Sequence, residues 1–195
     1  TLDGGAGFDR LVGGDGDDTF HVNNINDVVV ETSGQGVDTI ISTALIYTLS
    51  DHIENLTLSD GAGSGTGSAL NNVLIGNAAS NSLNGGVGAD TMIGGDGDDF
   101  YYIDNAGDVV TETLSGGVRD AIITSFNSFD LSTYAYIERL VFNGVGDFNA
   151  VGGMRNDELQ GGAGNDTLLG GDGNDTMLGQ AGVDSMVGGG GSDVY

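Results

Sequence analysis

A nine-residue period governs the C-terminal part of the chain. From Gly161 to Asp193 the sequence reads GGAGNDTLLGGDGNDTMLGQAGVDSMVGGGGSD, each unit being Gly-Gly-x-Gly-x-Asp followed by x-U-x, where U is a large apolar residue. Position six of successive units holds Asp157, Asp166, Asp175, Asp184 and Asp193, and position eight holds Leu159, Leu168, Met177, Met186 and Tyr195. Nine residues are too few to close a domain, so each unit describes one turn and one short strand of a stacked solenoid.

The chemistry of one unit follows from its residue types. Glycines at positions one, two and four allow positive φ and sharp bends, so that carbonyl oxygens can converge on one point. The position-six Asp adds a carboxylate there. A hard cation of calcium size takes six to eight oxygens at roughly 2.3 to 2.6 Å, more than one turn can supply. If each turn reverses the chain, turn n stacks on turn n+2, eighteen residues away. The expected shared sites are therefore Asp157 with Asp175, Asp166 with Asp184, Asp175 with Asp193 and, less regularly, Asp9 with Asp27.

The units GGAGNDTLL, GGDGNDTML and GGDGDDTFH resemble the calcium-binding nonapeptides of the RTX (repeats-in-toxin) family. The resemblance implies an all-β chain folded as a parallel β-roll, a β-solenoid with Ca²⁺ bound in GGxGxD turns. It further implies export by a type I secretion apparatus, a secreted or cell-surface location, and a covalently attached passenger domain. A single GGxGxD would be a weak signal. Phase held across a tract makes it strong.

The same phase organises the rest of the chain. Tract one, residues 1–30, contains GGAGFDRLV, GGDGDDTFH and VNNINDVVV; tract two, residues 67–111, contains GSALNNVLI, GNAASNSLN, GGVGADTMI, GGDGDDFYY and IDNAGDVVT; tract three covers 152–195. The metal ligands expected from these tracts are Asp9, Asp18, Asp27, Asp90, Asp99, Asp108, Asp157, Asp166, Asp175, Asp184 and Asp193. The turn glycines expected to shape the sites are Gly4, Gly7, Gly13, Gly16, Gly85, Gly88, Gly94, Gly97, Gly161, Gly164, Gly170, Gly173, Gly179 and Gly182. Shared pairs give about five to eight Ca²⁺ ions. Asn72 and Asn81 keep an oxygen at position six but lose its charge, so the coil they open is expected to bind calcium weakly or not at all.

Between the tracts, residues 31–66 and 112–151 lose the nonapeptide. Residues 37–43, 45–49 and 53–58 are rich in β-branched and apolar side chains and read as longer strands of wider coils that continue one solenoid. Glu31, Asp38, Glu112 and Asp120 are candidate extra ligands there. NDVVVET at 26–32 is matched by GDVVTET at 107–113, so one module of roughly 80 residues occurs twice.

Composition sharpens the argument. Glycine contributes 38 residues, proline, cysteine and lysine are absent, and four arginines face 29 acids, for a formal charge of −25. Such a charge disfavours nucleic acid and anionic membranes as partners. Without cysteine there are no disulfides, and no apolar run is long enough for a membrane span. With only position eight pointing inward, apolar burial is too thin to offset the ordering of a Gly-rich backbone. Bound metal supplies the difference, giving disorder without calcium and order with it.

No catalytic motif competes with this reading. There is no Gly-x-Ser-x-Gly, no P-loop lysine and no paired-histidine motif, and His21 and His52 sit in unrelated contexts. Asp15, Asp17, Asp96, Asp98 and Asp172 are expected to raise the negative field only. The function expected is a monomeric, non-catalytic calcium-binding module that folds outside the cell, aids secretion and stabilises an attached domain. The alternatives are a calcium-locked spacer of a surface-layer protein or adhesin, and an accessory carbohydrate-binding module of a polysaccharide-modifying enzyme.

Overall fold

The computed structural model describes residues 1–114 and 116–195. Two compact units, Thr1–Gly116 and Gly117–Tyr195, make up the chain. Both are parallel β-solenoids, all-β apart from one short 3₁₀ helix among the described residues, Leu131–Thr133.

In the first unit, strands Leu2–Asp3, Thr19–Val22, Thr39–Ser42, Asn55–Leu58, Val73–Ile75, Thr91–Ile93 and Val109–Thr111 lie side by side in that order. The alternate strands Ile46–Thr48, Ser64–Thr66, Ser82–Asn84 and Phe100–Ile103 form a second sheet, and Arg10–Val12 pairs with Val28–Val30. Every other strand thus joins the same sheet, as a chain reversing at each turn requires. The register confirms the eighteen-residue stack: Leu74, Met92 and Val110 are aligned, as are Leu83 and Tyr101.

The second unit repeats the scheme. Ala121–Thr124, Arg139–Phe142, Glu158–Gly162 and Thr176–Gln180 form one sheet, and Ser128–Asp130, Asn149–Val151, Thr167–Asp172 and Ser185–Gly190 form the other.

The core is one side chain deep. Phe20, Leu74, Leu83, Met92, Tyr101, Leu159, Leu168 and Met177, all at position eight, are completely buried, while their strand neighbours face outward or are half-buried. Val110 and Met186 are only half-buried, because each lies in the last strand of its sheet and is covered from one side. Tyr195 is exposed.

The irregular coils differ from the expectation in one respect. Their strands, Thr39–Ser42, Ile46–Thr48 and Asn55–Leu58, are no longer than those of the nonapeptides. The extra residues sit in the turns. Phe20 aligns with Ile40, and Ile40 with Leu56, so a coil of twenty residues is followed by one of sixteen and the original phase is restored. In the second unit, Phe129 aligns with Ala150, a longer step that accommodates the 3₁₀ turn.

Candidate metal centre

Position six is where the coils are tied together. The backbone N–H of Asp157 donates to Asp175 Oδ1 at 2.9 Å, that of Asp166 to Asp184 Oδ1 at 3.0 Å, and that of Asp175 to Asp193 Oδ1 at 3.0 Å. The same bond joins Asp9 to Asp27 at 3.1 Å and Asp90 to Asp108 at 3.0 Å. Asn81 donates likewise to Asp99 Oδ1, and Asp18 to Asp38 Oδ1 across the twenty-residue coil. The acids expected in pairs are thus stacked as pairs. In the second member of each pair, one carboxylate oxygen is committed to the previous coil.

The second oxygen has a different fate. Oδ2 of Asp9, Asp90, Asp166 and Asp175 is buried and accepts no hydrogen bond. A buried carboxylate oxygen without a partner is costly. Burial, first of all, pushes the Asp90, Asp166 and Asp175 carboxyls above their ordinary range, and the like charges of Asp108, Asp184 and Asp193 push the same way, against the backbone N–H bond each accepts. Burial likewise raises Asp157 to about 6, opposed by the Gly153 N–H and reinforced by Asp175 and Glu138. These oxygens are hard donors short of positive charge, which is the donor set a calcium ion takes.

The glycines frame these oxygens by two separate means. At position one the demand is for space, not for positive φ. A Cβ on Gly170 would lie 2.3 Å from Asp175 Oδ2, and Gly85, Gly161 and Gly179 stand as close to Oδ2 of Asp90, Asp166 and Asp184. Gly4, Gly13 and Gly94 likewise face Asp9, Asp18 and Asp99. The side chain of position six folds back over position one, where no Cβ can be tolerated. At positions two and four the backbone is left-handed, as at Gly171 (φ 108°) and Gly173 (φ 138°), and the carbonyls of Gly153 and Arg155 in the coil before lie 2.1 and 2.0 Å from where a Cβ would stand. Gly7, Gly16, Gly88, Gly97 and Gly182 share that positive φ; Gly164 does not, and is required instead by the Gly146 carbonyl.

Four departures from the repeat show turns that satisfy themselves. Asp27 Oδ2 accepts from the N–H groups of Asn23 and Asn24, and Asp108 Oδ2 from those of Asp104 and Asn105, so both oxygens of each carboxylate are bonded. These two turns lack the Gly-Gly pair. At Asn72 the side-chain carbonyl accepts from Ser68 N–H while Nδ2 donates to the carbonyls of Ile53 and Glu54. Asn81 does the same with Asn77 N–H and the Ala62 carbonyl. An amide therefore bonds directly to oxygens that a carboxylate can approach only through a cation.

Two members of the position-six columns were not expected. Glu54 Oε2 accepts from Asp38 N–H at 2.8 Å and Glu138 Oε2 from Asp120 N–H at 3.2 Å, so glutamates stand in for Asp where the coils change length. Each precedes its inward leucine, Leu56 or Leu140, by two residues, the same offset as Asp to U, and that offset was the available signal. Phe148 occupies another such place, stacked on Phe142 at 4.5 Å, with its N–H donating to Asp166 Oδ1.

Position five carries a second ladder running the other way. Asn156 Oδ1 accepts from Asn174 N–H, whose own Oδ1 accepts from Ser192 N–H; Asp147 and Asn165 continue the pattern to Asn165 and Val183. Asp17 belongs to it, accepting from Val37 N–H at 2.8 Å, so its role is structural as well as electrostatic. His21 is exposed and His52 half-buried.

Comparison with known proteins agrees with this geometry. A family described as the RTX calcium-binding nonapeptide repeat matches at residues 1–29, 66–101, 151–186 and 167–195, together more than half of the chain. The endo-1,3-1,4-beta-glycanase ExsH of Rhizobium meliloti (strain 1021) is 35% identical over 86 residues, which are 39% of this chain and 18% of that protein. The chain therefore spans less than a fifth of that relative's length.

Proposed function

Since the chain belongs to the RTX calcium-binding nonapeptide repeat family, we propose that its position-six aspartates hold Ca²⁺ between turns eighteen residues apart and that this binding drives folding. The observation that carries the reading is the set of buried, partnerless Oδ2 atoms at Asp9, Asp90, Asp166 and Asp175, each against a position-one glycine. Bound calcium supplies positive charge that offsets the mutual repulsion of stacked carboxylates. Asp18, Asp99, Asp157, Asp184 and Asp193 join the same columns. At Asp90, Asp166 and Asp175 the chain's own contribution is to orient one oxygen by an amide bond and leave the other free.

The chain works as a secreted module that remains unfolded where calcium is scarce and orders where it is abundant, stabilising a domain attached to it. Extracellular calcium sites work at roughly 10⁻⁴ to 10⁻³ M. Far-UV circular dichroism during a calcium titration tests this: β signal should rise steeply on addition of calcium and fall steeply with EDTA. A β signal indifferent to EDTA would contradict it.

A second reading, an accessory segment of a polysaccharide-acting enzyme, is supported by the resemblance to a glycanase and by one surface. Tyr134 stacks on Phe129 at 5.3 Å, Arg155 lies 4.5 Å over the Tyr136 ring, and a cavity of about 280 Å³ opens beside them. A glycan array probed in calcium discriminates: binding lost on Tyr136→Ala favours this reading, and no binding removes it.

A further inference from the structure

The repeat breaks at Glu31, and the break brings an extra carboxylate into the turn column. Glu31 lies eighteen residues after Gly13, so it occupies position one of the next coil, where the regular units require glycine. Its side chain turns inward and is 93% buried, given a relative exposure of 7%. Oε1 accepts from Gly13 N–H at 2.8 Å, whereas Oε2 is buried and accepts nothing. A Cβ at Gly13 would lie 2.3 Å from Glu31 Oε1 and 2.5 Å from Asp18 Oδ2, so carboxylates from two successive coils meet at one point.

We infer that Asp18 and Glu31 form a divalent-cation site of their own kind, taking Ca²⁺ between two carboxylates contributed by positions six and one.

Capping of Gly13 N–H alone does not account for Glu31. A capping role needs one oxygen and is satisfied equally by an amide, yet here an ionisable group is buried with its second oxygen bare. Positive charge is scarce around it. Among the described residues no arginine forms an ion pair with either acid, and the amino group of Thr1 approaches Asp18 through the other oxygen, Oδ1, at 3.8 Å. A cation bound at about 2.3 to 2.6 Å from each oxygen bridges the gap between them. Because ligand charge tunes calcium affinity, two carboxylates hold the ion more tightly than a turn with a single free Asp oxygen.

The arrangement recurs in the second module. Gly94 faces Asp99 Oδ2 and Glu112 Oε1 as Gly13 faces Asp18 and Glu31. There Tyr101 replaces Phe20, and its hydroxyl donates to Glu112 Oε1. The Phe20 copy offers no such donor, which leaves Glu31 the more dependent on a cation.

The choice of calcium rests on the function proposed above, but the test separates the two. Native mass spectrometry of the full chain in calcium counts bound ions for the wild type and for Glu31→Gln, which keeps the acceptor for Gly13 N–H. The expected result is one ion fewer in Glu31→Gln, with unchanged β signal by circular dichroism at saturating calcium. An equal ion count in the two proteins overturns the site while leaving the turn sites standing; no ions in the wild type overturns both. Should Glu31→Gln fail to fold, wild-type crystals grown with Tb³⁺ decide: an anomalous peak bonded to Glu31 and Asp18 Oδ2 supports the site, and its absence overturns it.

Discussion

Asp157 and Asp175 stand one coil apart, the N–H of the first donating to Oδ1 of the second at 2.9 Å, while Oδ2 of Asp175 is buried with no partner. One carboxylate therefore does two things. It pins the preceding turn, and it presents a bare oxygen to whatever lies between the turns. The first task can be met by neutral groups, and the second calls for a cation.

Replacing Asp175 by Asn separates the tasks. Asn72 shows how an amide behaves at this position, donating to nearby carbonyls in place of an ion. Asp175→Asn is expected to remove at least one ion and to raise the calcium midpoint for folding by about tenfold, as read by isothermal titration calorimetry. Asp108→Asn, at a turn whose carboxylate is already fully bonded, is expected to change the midpoint less than about twofold.

The converse substitution adds charge where the chain has none. Asn72→Asp and Asn81→Asp together are expected to bind additional calcium by native mass spectrometry. In EDTA the same double variant should hold less β structure than the wild type, because each Asp loses the Nδ2 bonds and gains an unpaired buried oxygen.

Position-one and position-two glycines should fail for different reasons. Gly170→Ala pushes a methyl group to within 2.3 Å of Asp175 Oδ2 and should lower calcium affinity while leaving φ unstrained. Gly171→Ala forces a left-handed backbone at φ 108° against the Gly153 carbonyl, costing about 1 to 3 kcal/mol. Thermal melts across a calcium series distinguish them: more calcium rescues Gly170→Ala more completely than Gly171→Ala.

Protons and calcium should act on the same oxygens in opposite senses. Burial raises Asp90, Asp157, Asp166 and Asp175 in the folded chain, Asp157 to about 6. A carboxyl raised on folding contributes stability that is complete below its unfolded value, about 3.9, and is lost as pH rises through the folded value. In EDTA, β structure should therefore be greatest near pH 4 and decline between about pH 4 and pH 6. In calcium the trend reverses, since protonation below about pH 6 displaces the ion. Circular dichroism from pH 4 to pH 8, with and without calcium, checks both limbs.

The nine-residue period makes the Asp columns, the eighteen-residue stack and the single inward residue legible from residue types alone, because each follows from alternating turns and strands. What stays hidden depends on directions that a pattern of residue types does not carry. The period does not say that position one of the Gly-Gly pair yields space to the Asp side chain while position two supplies positive φ. Nor does it say that position five runs a hydrogen-bond ladder opposite to position six, since Asn156 and Asp157 look alike as polar turn residues. Counting in nines does reach Glu54, thirty-six residues after Asp18 and eighteen before Asn72, but residues 49–53 before it hold none of the glycines that mark a unit, and Glu138 is stepped past because the coils around it change length; both longer side chains still reach the amides of Asp38 and Asp120.

Anomalous diffraction from crystals grown in calcium addresses the central claim most directly. The account predicts an ion between the turns of Asp157 and Asp175, bonded to Asp175 Oδ2 and to carbonyls of both coils at about 2.3 to 2.6 Å. A map with both carboxylates stacked as described and no anomalous peak between the turns would contradict it.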